Sequence, residues 1–291
     1  MKLVFSGPTS DPIFLQNEKV KNILFTFADK HVERCIDRHW LDKIDYAKDL
    51  TVWMDSGAFT VWNTGGNFTV EDHIKRVDEF WKKYKDKFKD VYFISLDVIP
   101  GKPGITPTQK QRDESAKKTL ENYLESKKSG VIPEHLWLVT LHQHEDPQLI
   151  LEYQKHNDYL CISPANDQSN DGRSEWLDKV YALIDPKIKT HGLAVTGEVM
   201  VERYPWYSVD SISWKLPRMY GQLFYKDFWQ KKTAEKINNK TTQEQLNFLN
   251  LKELYFSNYT DKEKLKFQIE YFLNLESDIT ELWKNRGVIW N

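Results

Sequence analysis

In "TVWMDSGAFT" (residues 51–60), four residues of strand-forming composition run into Asp55, and Ser56 and Gly57 follow at once. β-Branched and aromatic side chains suit a pleated strand, and glycine permits the tight turn that ends one. A carboxylate at such an exit either caps backbone N–H groups or serves chemistry. For a single Asp the cap is the commoner role. What decides between them is whether other strands of the chain end the same way.

Seven further apolar runs have this form: "KLVFS" (2–6), "NILFTFA" (22–28), "VYFISL" (91–96), "HLWLVTL" (135–141), "YLCIS" (159–163), "THGLAVT" (190–196) and "YSVDSIS" (207–213). Helical periodicity separates them at about 31–47, 71–88, 108–128, 146–156, 173–184 and 197–204, with Thr69 and Asp146 placed as caps. Strands alternating with helices in this number predict an α/β fold, a closed (β/α)8 TIM-like barrel over residues 1–215. From residue 216 the pattern changes to long charged segments, among them "TTQEQLNFLN" (241–250), which predict a helical extension, 216–291, packed on the barrel.

Composition narrows the class. A chain of 291 residues is long for an ordinary domain and normal for one barrel. Lys and Arg total 41 against 43 Asp and Glu, so no global basic field marks a nucleic-acid partner, and any such contact needs a local patch. Cys35 and Cys161 are too few for a disulfide framework or a four-ligand zinc site, which fits a reducing cytoplasm. The N-terminus reads as a strand rather than a signal peptide, and no apolar stretch approaches the roughly 20 residues of a membrane span. The expectation is a soluble, cytoplasmic protein without membrane contact. His31, Cys35 and His39 recur every fourth residue, and a rise of about 1.5 Å per residue keeps the outer two from sharing an ion. They read as a helix face. His142 and His144 share one side of a strand, without a further ligand set.

The strand exits carry the functional signal. Strand three ends in Asp55, strand four in Asp97, strand five in "LHQHE" with Gln143, strand six in "ISPAND", strand seven in "AVTGE", and strand eight holds Asp210. In a closed barrel these ends form one rim, where loops vary on rigid roots. Carboxylates gathered there push one another's pKa values apart, which lets one site hold a nucleophile and an acid together.

"DSGAF" (55–59), "SLDVIPG" (95–101), "LHQ" (141–143) and "YSVDSISW" (207–214), taken in order, resemble the motifs of the queuine tRNA-ribosyltransferases, or tRNA-guanine transglycosylases. The resemblance spans about residues 2–214. The tRNA enzymes carry a zinc cluster of three cysteines and a histidine past the last strand, and no cysteine follows Cys161 here. In that respect the chain looks more like the branch that modifies DNA, the DpdA-type 7-deazaguanine DNA transglycosylases. "GLAV" (192–195) imitates a sixth-strand motif of the tRNA enzymes but stands on the seventh strand here, so no glycine role is carried to Gly192.

The resemblance implies exchange of guanine in DNA for a 7-deazaguanine base such as preQ0, a co-substrate, through a covalent aspartyl-sugar intermediate, with no cofactor and no metal. It implies Asp210 as nucleophile at C1′, Asp55 as the proton-transferring acid, and Asp97 as the reader of the ring's N1–H and exocyclic amine. It also implies Gln143 on the O6 side, Ser163 among the strand-six backbone donors, and Phe59 and Leu193 above and below the base. Ser56 and Gly57 form the turn that lets backbone approach the ligand. A base within a duplex must be extruded to reach such a mouth. The loop 61–69, with Trp62 and a double glycine, is expected as a mobile nucleic-acid contact, and Lys102, Lys110 and Arg112 as phosphate holders. DNA is the expected polymer rather than tRNA, with room for a protein partner that opens the duplex. Competing readings are a glycoside hydrolase using the same rim and an inactive nucleic-acid-binding barrel.

Overall fold

The computed structural model describes residues 1–66, 68–102, 104–143, 145–165, 168–226 and 260–290, and the backbone of 235–238. Its centre is a parallel sheet in the order β5-β4-β3-β2-β1-β9-β8-β7-β6, nearly closed into a barrel. The strands are β1 Lys2–Ser6, β2 Asn22–Thr26, β3 Thr51–Asp55, β4 Asp90–Ile94, β5 Trp137–Leu138, β6 Thr140–His142, β7 Tyr159–Ser163, β8 Lys189–Gly192 and β9 Ser208–Ser211. The predicted fifth strand is thus two pieces with Val139 between them. β5 pairs with β4 and β6 pairs with β7, so the two ends of the sheet are joined through one residue of chain.

A two-residue alternation makes the barrel. Leu3, Phe5, Ile23, Phe25, Val52, Met54, Phe93, Leu160, Ile162 and Val209 face outward into the large core shared with the helices. Val4, Leu24, Trp53, Ile94, Leu138, Tyr159 and Cys161 face inward and fill the barrel's own interior. Successive strand side chains point to opposite faces, so each parallel strand buries both sets.

Helices α1 Pro12–Asn17, α2 Val32–Cys35, α3 Ala58–Thr64, α4 Val70–Tyr84, α5 Gln109–Lys128, α6 Leu149–Tyr153, α7 Asn170–Tyr181 and α8 Glu198–Arg203 stand between the strands. Thr69 caps α4 as predicted, in a reciprocal box with Asp72. Asp146 does not cap α6; its carboxylate accepts from Gln148 N (2.9 Å) in the turn before. The helix expected over 31–47 is shorter, because α2 gives way to a π-helical stretch, Ile36–Leu41. Two helices, α1 and α3, lie where none was expected. α3 takes up the start of the predicted mobile loop.

Beyond the barrel, α9 Leu216–Tyr220 leads into β10 Gln222–Tyr225, which pairs antiparallel with β11 Glu235–Asn238. The extension is therefore not wholly helical. The predicted helical segment 241–250 lies outside the described residues. A long helix, α10 Asp261–Asn285, returns across β1 and buries Leu265, Ile269, Phe272, Leu275 and Ile279 in the same core as the barrel helices. The Phe5 and Phe272 rings meet edge to face at 6.4 Å. No helix among the described residues is long and apolar enough to cross a membrane.

Candidate active site

Continuing the inward alternation one step past the barrel interior reaches the mouth. Val4 is followed two residues on by Ser6, Leu24 by Thr26, Trp53 by Asp55, Cys161 by Ser163, and Ser208 by Asp210. Parallel register sets these side by side: Thr26 pairs with Asp55, Val4 with Asp210, and His142 with Ser163. The apolar barrel wall thus ends in a polar ring.

Asp55 Oδ2 accepts from Thr26 Oγ1 (2.8 Å) and from Gly57 N (3.0 Å). Gly57 can turn back to make that bond because its φ is +86°, and a Cβ there would lie 2.9 Å from Ala28 N. The turn read from the sequence is thus required twice over, by conformation and by space. Burial, then the Asp97 charge, and more weakly Asp210, push the Asp55 carboxyl up to about 7, against the two hydrogen bonds. Both other acids are therefore close enough to act on it. Cys161, fully buried below them, is also pushed up, by burial first and then by Asp210, Asp97 and Asp55 in turn.

Asp97 lies just beyond β4 and is 8% exposed. Its Oδ1 accepts from Ser56 Oγ (3.0 Å), and its Oδ2 is 2.9 Å from His142 Nε2. Burial opposes its ionisation, but His142 and Ser56 outweigh burial and hold the carboxyl below its ordinary range. The same pairing holds the His142 imidazole above its usual value, although burial works against it. Glu145 backs the pair: its Oε2 accepts from His142 N (2.9 Å), and burial pushes its carboxyl up to about 7. Two acids of one rim are thus driven in opposite directions. Asp55 retains a proton near neutrality, whereas Asp97 stays charged.

Asp210 closes the ring from β9. Ser6 Oγ donates to its Oδ2, Ala194 N donates to its Oδ1 (3.0 Å), and His191 Nε2 stands 3.4 Å from the same oxygen. Ala194 adopts φ +56°, uncommon for a residue with a side chain. β8 ends at Gly192, and this turn, where the sequence suggested continued strand, is what aims the Ala194 N–H at the carboxylate.

The remaining predicted residues are spread more widely. Gln143 is buried with its carboxamide engaged by backbone: Nε2 donates to Gly172 O (3.2 Å) and Oε1 accepts from Ala165 N (2.8 Å). Ser163 ends β7 half-buried, and its carbonyl accepts from Gln143 N (2.9 Å). Leu193 is half-buried against the barrel-interior cluster. Phe59 is 60% exposed on α3, 5.9 Å from the Trp62 ring. Trp62 is not on a loop; it belongs to α3, and its Nε1 donates to Gly101 O (3.0 Å), joining the β3 and β4 exits. Lys102 is exposed, and Lys110 is exposed and 3.7 Å from Glu114. Arg112 is half-buried with an Nε that finds no partner. His144 lies outside the described residues.

Several contributors were not singled out from sequence: Ser6, Thr26, Glu145, Ala194 and His191, together with His142 in its role as partner of Asp97. A signal existed for some of them. Ser6 and Thr26 occupy the same alternating position as Asp55, two residues above an inward-facing apolar side chain. In comparisons with protein-family models and with curated proteins, the chain matches none.

Proposed function

We propose that this chain is a base-exchange glycosyltransferase that replaces guanine in DNA with a 7-deazaguanine base through a covalent aspartyl-sugar intermediate. The observation that carries the reading is the convergence of Asp55, Asp97 and Asp210 on one rim, with Asp55 poised to hold a proton and Asp97 held ionised. As the C1′–N bond of the nucleotide breaks, the sugar gains oxocarbenium character and Asp210 forms the C1′–O bond. The departing base takes its proton from Asp55. The incoming base then returns a proton to Asp55 while its nitrogen attacks C1′ and displaces Asp210, so proton and bonds balance over the cycle.

Asp97 reads the base. Each carboxylate oxygen can accept more than one hydrogen bond, so contacts to Ser56 and His142 leave lone pairs for the two adjacent donors of a guanine-like edge. A base lacking those donors would leave those lone pairs of a buried carboxylate without partners, which discriminates strongly. Gln143, engaged by backbone of the loop after β7 and of the first turn of α7, positions those segments first and meets the O6 side only after rotation. In this reading Leu193, half-buried against the barrel interior, contacts a face of the base, and Phe59, exposed on α3, meets the extruded nucleotide. Lys110 and Arg112 lie in the first turn of α5, where the helix dipole disfavours cations, and a phosphate there would relieve both. The absence of cysteine after Cys161 favours DNA over tRNA.

The test is incubation of the purified protein with labelled guanine or a labelled 7-deazaguanine, offering DNA and tRNA separately. Label entering DNA alone is the expected result. Label entering tRNA alone would overturn the choice of polymer, and label entering neither would overturn base exchange.

A further inference from the structure

Four side chains inside the barrel form a single file of hydrogen bonds that ends beneath Asp210. Trp53 Nε1 donates to Tyr159 Oη (2.9 Å), Tyr159 Oη lies 2.6 Å from Ser208 Oγ, and Ser208 Oγ lies 2.6 Å from His191 Nδ1. The other ring nitrogen, His191 Nε2, is buried 3.4 Å from Asp210 Oδ1, an ion-pair distance without hydrogen-bond alignment, and has no hydrogen-bond partner among the described residues. Trp53, Ser208 and His191 are fully buried, and the Trp53 and His191 rings stack at 5.9 Å and 15°.

The direction of the file follows from the donor inventory. An indole N–H can only donate, so Tyr159 Oη accepts from Trp53 and its own proton must go to Ser208. The Ser208 proton then has His191 Nδ1 as its acceptor, and the imidazole proton is left on Nε2. Reversing the file would leave the buried Tyr159 hydroxyl with no acceptor. A doubly protonated ring would do the same to the Ser208 proton, and buried polar hydrogens rarely go unpaired.

We propose that this file fixes His191 as the neutral Nε2–H tautomer, a positioning residue that holds the Asp210 carboxylate oriented for attack at C1′. The attack rests on the base-exchange reading; the tautomer does not. Three groups then face the nucleophile: Ser6 from β1 donates to one oxygen, Ala194 just past β8 donates to the other, and His191 of β8 stands beside that second oxygen.

The test is nitrogen NMR of the protein carrying ring-labelled histidine, with the His191 signals identified by their loss in His191→Gln. A neutral ring protonated on Nε2 at neutral pH is expected, and Ser208→Ala or Tyr159→Phe should let the Nδ1–H form appear. A ring protonated on Nδ1, or on both nitrogens, in the unsubstituted protein would overturn the proposal whether or not base exchange occurs. For the positioning role, His191→Phe should slow covalent adduct formation on a guanine-containing DNA strand roughly 10- to 100-fold, the loss expected if the Nε2–H closes onto the Asp210 carboxylate during attack. His191→Gln, which keeps an N–H near that position, should recover most of the rate. An unchanged rate in His191→Phe would overturn the positioning role while leaving the tautomer and the exchange reaction standing.

Discussion

Asp55 holds its proton to about neutral pH because burial and two neighbouring carboxylates oppose its charge more than Thr26 and Gly57 favour it. A group that must give a proton to the leaving base works in its protonated form. The rate of adduct formation should therefore fall as pH rises through about 7. Asp55→Asn keeps the shape but carries no transferable proton, so adduct formation should slow on the order of 100-fold or more and lose that limb of its pH profile. Single-turnover rates across pH check both; an Asp55→Asn profile with the limb intact would assign the proton to another group. Asp55 and Asp97 were visible in the sequence because each follows an apolar run, and Asp210 because it lies within the last predicted strand, "YSVDSIS". His142 and His191 were harder to read, because a histidine in or beside a strand gives no sign of its partner until the register brings Asp97 or Asp210 beside it.

At the scale of elements, β1 and β7 were legible to the residue and the capped start of α4 to within one, although α4 ends at Tyr84, four residues before the expected 88. The break at Val139 could not be read, because "HLWLVTL" is apolar throughout and the discontinuity arises from which neighbour each half meets, β4 or β7. α3 was hidden because the glycines that end it look like a loop, although Gly65 at φ +70° is the helix's own C-terminal turn. α10 was foreseen as a helix on the barrel, but its depth was not. Leu275 is fully buried in the core shared with β1 and the barrel helices. Leu275→Ala should cost roughly 2–5 kcal/mol and shift a single urea transition of the whole protein. A barrel transition that stays in place while a separate one moves would make the extension an independent unit.

For the whole molecule, one nearly closed ring of strands brings positions 55, 97 and 210 together across more than half the chain length. β9 lies next to β1 in the sheet, and β1 next to β2, so Ser6 and Thr26 fill the places between Asp210 and Asp55 and steady both by hydrogen bonds. The formal charge of −2 leaves any attraction for a nucleic acid to local cations such as those on α5 rather than to an overall field. A barrel built this way could serve several carboxylate chemistries, and fold alone does not choose among them. The choice depends on whether Asp210 bonds to a nucleotide sugar. Mass spectrometry of the peptide containing residue 210, after denaturing quench of the protein with guanine-containing DNA, measures that directly. The account predicts a sugar–DNA adduct on Asp210 that Asp210→Asn abolishes; an adduct on a different residue, or base exchange that survives Asp210→Asn, would contradict it.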